Sequence, residues 1–325
     1  MLALTPILLA LTLAGGQPAA SDAWLPATGT DSCSVTDVDL ADATHAFAAG
    51  AFNCGLVSSD GGRSWTAIEV VPQEGQSLLW AHAASADTLY AARRQMYRSD
   101  DGGANWVQLG EIEAGGNLFD VHLHDAQHFV AARGGQILTS ADGGGTWEIA
   151  FPAEFNINFD ELHFPDPQTG YATGGVVRDT GEAGTVLRST DGGATWSLLA
   201  FAHGKITAAD FVDAEHGMVA TQSQGFFVTA DGAQSWQPVA DVPGGAYVND
   251  LAHRDARHWY ATSSSGCLFE TRDAAASWQT AFCDDQQRAL ASIDLSGPAA
   301  IAAGNDGLVI RENRVFGDGF DPPAP

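Results

Sequence analysis

Three histidines, His82, His122 and His163, stand 40 and 41 residues apart in a chain of 325, each at the same place in a similar short segment. Asp39, Asp210 and Asp294 take that place in three further segments, and Ala252 takes it in one more. Neutral imidazole and carboxylate together suit zinc or a similar divalent cation. His82, His122 and His163, with a neighbouring Asp, are therefore candidate metal ligands. Two residues earlier, Asp37, Asp120, Glu161 and Asp250 repeat a second acidic position. Carboxyl groups held about 5–10 Å apart can hydrolyse glycosides, and a chain with 40 acids leaves such a pair open. The plainer expectation is that both sets are the polar wall of a water-filled channel with no cofactor. A ring built once per segment is too wide to close on one ion, so only adjacent members could share a cation.

These residues need strands to hold them. One residue before the polar ring lie Val38, Ala81, Val121, Leu162, Ala209, Leu251 and Ile293, all apolar. Side chains alternate faces along a strand, so the apolar set should pack between neighbouring units while the polar set faces an axis. Each unit continues through a D-A-x-H-like turn, a second strand rich in small residues, a loop, a third strand and an Asp-box turn. Six boxes read alike: 58–65, 99–106, 140–147, 189–196, 229–236 and 271–278. Their aspartates are Asp60, Asp101, Asp142, Asp191, Asp231 and Asp273, and their tryptophans Trp65, Trp106, Trp147, Trp196, Trp236 and Trp278. Box glycines supply backbone angles that a Cβ penalises, and the Asp carboxylate can accept the turn's own amides. A catalytic residue has no reason to occur six times, so the boxes are structural.

Four short strands per period of about 40 residues is the pattern of a propeller blade. A seventh unit ends in GNDGLVIRENR (304–314), where Glu312 is placed at the Asp position and no Trp follows. Residues Ala23–Pro26 resemble the Trp-led outer strands and are expected to complete that unit, hiding edges that would otherwise be open. The fold expected is all-β: a seven-bladed β-propeller of four-stranded blades over 21–316, closed by an N-terminal strand and followed by a tail, 317–325.

Four cysteines, Cys33, Cys54, Cys267 and Cys283, allow three pairings. Positions facing each other across a hairpin share a midpoint at its turn. That rule pairs Cys33 with Cys54 about the D-A-T-H turn and Cys267 with Cys283 about the sixth box, in an oxidising compartment. Applied to charge, it sets Asp37 opposite Gly50 and Asp120 against Arg133 as a surface ion pair worth under about 1 kcal/mol. The segment Val176–Ala183, which carries Arg178, lengthens one period to 49 residues. It is expected on the same face as a binding loop. His45, His128, His216 and His258 recur at the D-A-x-H turn and are read as turn or packing residues.

The repeats resemble the BNR or Asp-box superfamily, and their fuller pattern is similar to the photosystem II stability/assembly factor family. That resemblance implies a seven-bladed propeller that chaperones or scaffolds other proteins without catalysis, and a basic recognition face. Arg93, Arg94 and Arg133, at the ends of second strands, are the residues to place near such a face. Sialidases share the Asp box and are the enzymatic alternative, with other glycoside hydrolases. They require three arginines, a Tyr–Glu pair and an acid/base Asp, and none of the five tyrosines here follows the last box. A glycan-binding lectin is the third class.

With a formal charge of −26 and Lys205 as its single lysine, the chain does not suit nucleic acid or anionic lipid, which need clustered cations. The apolar run at 2–14, followed by small residues, reads as a signal peptide (1–20). A secreted or periplasmic monomer follows, with no membrane span in its mature form and another exported protein or a glycan as partner.

Overall fold

The structure, a computed structural model, describes residues 24–30, 33–70, 77–112, 116–152, 157–178 and 181–313. The expected signal peptide and C-terminal tail lie outside these residues. Seven four-stranded antiparallel sheets make seven propeller blades. The innermost strands of blades 1 to 7 are Val35–Leu40, Trp80–Ala83, Asp120–Leu123, Ile157–His163, Ile206–Phe211, Val248–Asp255 and Leu290–Ser296. Six blades are built from four consecutive strands. The seventh takes three from the end of the chain and its outer strand, Trp24–Pro26, from the start, with Trp24 facing Glu312 and Pro26 facing Ile310. The closing strand is where the sequence places it.

The hydrophobic core is a set of layers between blades rather than one centre. Val38, Ala81, Val121, Leu162, Ala209, Leu251 and Ile293 are all buried. In six blades an alanine faces them from the second strand: Ala48, Ala91, Ala131, Ala172, Ala261 and Ala302. In blade 5 the facing residue is Val219, with Ala220 beside it. All of these second-strand residues are buried as well. Small side chains at these positions let twisted sheets approach closely. Aromatic rings fill the wider outer gaps, as where Trp106 of blade 2 packs on Phe47 of blade 1 at 5.7 Å between centroids.

All six boxes fold alike. In the third, Ser140 Oγ donates to Asp142 Oδ1 at 2.9 Å, while the Asp142 carboxylate accepts the Thr146 N–H and hydroxyl, both at 2.8 Å. These bonds hold the Asp142 carboxyl below its ordinary range. Each box also donates one N–H to a carbonyl of the turn between the first two strands, as from Gly143 to Gln127 at 2.9 Å. In that turn Asp125 accepts the amides of Gln127 and His128 and lies 2.9 Å from the His128 ring, and its pKa falls to about 2. His45 and His216 behave likewise. His258 departs from the pattern: it is buried and turns to Glu270 at 2.6 Å.

Both expected disulfides form, Cys33–Cys54 and Cys267–Cys283. Cys267 and Cys283 are direct partners on the third and outer strands of blade 6. Cys54 instead begins the third strand of blade 1, so its bridge reaches back to the segment before the innermost strand. The midpoint rule therefore misplaces the register there by one residue. Asp37 faces Ala49, and Gly50 faces Val35 beyond an irregularity that takes up one residue.

Three other expectations need correction. Asp120 faces Ala132 and does not pair with Arg133, because its carboxylate turns to amides instead. In its described residues the segment Val176–Ala183 extends the second and third strands of blade 4 rather than forming an irregular loop, with Val176 facing Ala183 and Arg178 facing Gly181. The Arg178 side chain lies outside the described residues. Glu312 does not stand at the Asp position of a seventh box. By register with blade 6 it takes the place of Thr271, at the head of the box.

Candidate functional site

The innermost strand of each blade has one edge that no strand covers. A backbone N–H left there without a partner would be costly. Acidic side chains meet that need, often from the preceding blade. Asp37 accepts Ala81 N–H at 2.8 Å, Asp120 accepts Leu162 N–H at 2.7 Å, Glu161 accepts Ala209 N–H at 2.7 Å and Asp250 accepts Ile293 N–H at 2.8 Å. The second oxygens of Asp37, Asp120 and Asp250 accept the next N–H of their own strand. Ser292 of blade 7 adds a hydroxyl to Asp37 at 2.9 Å, so Asp37 ties three blades together.

The polar ring one step along does the same work. Asp39 accepts Ala83 N–H at 2.7 Å, and Asp294 accepts Leu40 N–H at 2.8 Å across the junction of blades 7 and 1. His82 lies 3.0 Å from Asp39. His163 lies 3.4 Å from Glu161 and 3.9 Å from Asp210. His122 packs on the rings of His124 and Phe164. The three imidazoles thus have separate partners and do not converge. Among the described residues, no group of three or more His, Cys, Asp or Glu side chains could hold a metal ion.

His253 was missed by the sequence reading, although Asp210 binds it at 2.5 Å. A signal was present. Ala252 is the single gap in the polar ring, and His253 is the single polar residue in the column Leu40, Ala83, Leu123, Phe164, Phe211, His253 and Leu295. Blade 6 has moved its polar group by one residue.

Burial pushes the Asp37 carboxyl up to about 8 despite its hydrogen bonds. Asp294 rises to about 7 through burial and the neighbouring Asp39 charge. Asp120, Glu161 and Asp250 are also raised, burial being the main cause. Burial alone would lower His82, His163 and His253, but their acidic partners outweigh it and all three are raised. His122, buried and close to other imidazoles, falls to about 3.

A Tyr–Glu contact does occur, between the Tyr260 hydroxyl and Glu312 at 3.1 Å. It is a lock between blades 6 and 7. Arg254 holds Glu312 at 2.5 Å, Tyr260 is fully buried, and burial lifts its hydroxyl to about 12. The Arg254 and Glu312 side chains are 10% and 7% exposed.

Arg93 and Arg94 lie between the second and third strands of blade 2, and Arg133 ends the second strand of blade 3, facing Gln136. Arg94 is exposed, and Arg93 donates to the Ser77 carbonyl at 3.1 Å. Arg133 lines a groove of about 680 Å³ between blades 2 and 3, with Glu111, Gln136, Leu138, Trp147 and Ile149. Ile149 is 61% exposed there, and Val107 and Leu198 on the outer strands of blades 2 and 4 are 66% and 59% exposed.

The profile of the BNR/Asp-box repeat family matches residues 187–198, the fourth box. No curated protein matches the chain. Among solved structures, YCF48 bound to D1 peptide superposes with a TM-score of 0.72 at 15% identity, covering 89% of this chain and 95% of that one. YCF48 from Cyanidioschyzon merolae gives 0.71 at 18% identity, covering 89% and 98%. The WD40 β-propeller domain of Doa1 gives 0.70 at 11% identity, covering 90% and 96%. The chain is a β-propeller of BNR/Asp-box repeats that resembles YCF48 in fold.

Proposed function

We propose that this protein is an exported, non-catalytic scaffold that binds a segment of another protein in the groove between blades 2 and 3. One observation carries the reading. The axial acids that the sequence offered as a hydrolytic pair are engaged in joining one blade to the next. The groove offers the contrasting chemistry of a recognition surface: apolar Leu138, Trp147 and Ile149 beside Arg133 and Gln136. Aromatic and Arg side chains are the usual anchors of protein interfaces. YCF48, similar in fold, has been solved with a D1 peptide bound, which supports peptide binding as a use of this architecture. Export rests on the apolar N-terminal run and agrees with two disulfides.

The test is a binding measurement on the purified chain and its Arg133→Glu variant, with proteins from the periplasm and medium of the native host. A discrete partner whose binding falls at least tenfold in the variant is expected. Hydrolysis of fluorogenic sialosides, or selective binding on a glycan array, would replace this reading by the enzyme or the lectin.

A further inference from the structure

Blades 1 and 7 make the same turn between their second and third strands. A three-residue 3-10 turn follows a glycine in each: Ala51–Asn53 after Gly50, and Asn305–Gly307 after Gly304. The middle residue is left-handed in both, with φ 57 and ψ 41 at Phe52 and φ 51 and ψ 40 at Asp306. The third residue also has positive φ, 60 at Asn53 and 73 at Gly307. Blade 7 fills these places with Asp and Gly, types that adopt this backbone readily. Blade 1 puts a phenylalanine in the middle, where a bulky side chain is strained.

Phe52 is 80% exposed, and it belongs to none of the apolar clusters or ring contacts among the described residues. The turn that presents it is firmly held. Cys54 is bridged to Cys33, Ala51 donates to the Ser34 carbonyl at 2.9 Å, and the buried Asn53 accepts Val70 N–H at 3.3 Å. A large apolar side chain on a rigid mount is what recognition favours, since little freedom is lost on contact. Strained residues of this kind gather at ligand clamps.

Charge indicates the partner's chemistry. Ser34 carries both turns, its carbonyl holding Ala51 and its hydroxyl accepting Asp306 N–H at 2.9 Å. The exposed Asp306 and the turn that carries Phe52 are thus held by the same residue. Arg288, which donates to the Asp306 carbonyl, has its own charge balanced by Asp284 at 2.8 Å. The chain as a whole carries −26. We propose that Phe52 is a docking knob for a protein segment offering an apolar pocket bordered by Lys or Arg. This rests on the protein-binding reading above and adds a second contact point, on blade 1.

The test is selection of a displayed random-peptide library on the full chain, followed by affinities for wild type, Phe52→Asp, Phe52→Trp and Arg133→Glu. Peptides rich in Lys or Arg beside a bulky apolar residue are expected, weakened at least tenfold by Phe52→Asp and kept by Phe52→Trp. The melting temperature of Phe52→Asp should equal or exceed wild type, because Asp306 shows that Asp fits this backbone. Acidic peptides, binding indifferent to Phe52→Asp, or a melting temperature several degrees lower would overturn the proposal. Loss of binding only in Arg133→Glu would leave the groove standing and the knob refuted. Failure to recover any binder would count against both. Phe52-dependent flotation with phosphatidylcholine vesicles would make a lipid surface the occupant, and the proposal would fall.

Discussion

The Asp37 carboxylate of blade 1 accepts the Ala81 N–H of blade 2 at 2.8 Å, joining two innermost strands whose edges would otherwise be bare. Three further acids repeat the contact at other junctions. Asp37→Ala should therefore cost about 1–3 kcal/mol, the usual penalty for a buried donor left without its partner. Asp37→Asn keeps an acceptor and should lose less. Urea unfolding of both variants at pH 6 checks the order, and an Asn variant weaker than Ala would contradict it.

The same acids set a pH dependence with a definite sign. A carboxyl raised on folding stabilises below its unfolded value of about 3.9 and loses that contribution as pH climbs through its folded value. For Asp294 and Asp37 the folded values are about 7 and about 8. The raised histidines His82, His163 and His253 act in the same direction above about pH 6.5. Turn and box aspartates such as Asp125, lowered to about 2, work oppositely and lose their contribution as pH falls below about 4. Melting temperature measured from pH 3 to 9 should peak between about pH 4 and 6 and decline toward 9. A monotonic rise to pH 9 would show that the axial acids are not held as described.

Much of this fold was legible because turn chemistry is local. A box closes within eight residues, from Ser140 to Trp147, so each of six copies announces itself. The outer strand of blade 7 was readable by the same local likeness, Trp24 matching the other tryptophans. Partners across blades were not readable. The acid and the amide it binds are 42 to 48 residues apart, and nothing adjacent in sequence marks them. One unpaired residue near Val35 was enough to shift the expected facing of Asp37 and Gly50.

A buried ion pair joins blades 6 and 7 beside the closing strand, since Glu312 also faces Trp24. Arg254 and Glu312 are nearly buried together, with Tyr260 bonded to the same carboxylate. Removing one partner of a buried ion pair costs about 3–5 kcal/mol. Glu312→Ala should lower stability by that order, and Arg254→Ala by a similar amount. Their double variant should cost clearly less than the sum, which a double-mutant cycle in urea reads. Additive losses would mean that the two charges do not act as a pair.

The disulfides should be independent of each other. Non-reducing peptide mapping is expected to find Cys33 with Cys54 and Cys267 with Cys283, and no link between the two pairs. Opening either by paired Cys→Ser substitution should cost about 2–4 kcal/mol. An unchanged midpoint of unfolding for both would show that neither loop is constrained by its bridge.

Scaffold and enzyme diverge most sharply at the groove between blades 2 and 3. A photo-crosslinking residue in place of Ile149, 61% exposed in that groove, can be compared in the native host with one in place of Leu198, 59% exposed on the outer strand of blade 4. One discrete protein adduct from position 149, absent from position 198 and lost with Arg133→Glu, is the outcome that a peptide-binding scaffold requires. No protein adduct at position 149, together with turnover of a glycoside by the purified chain, would contradict it.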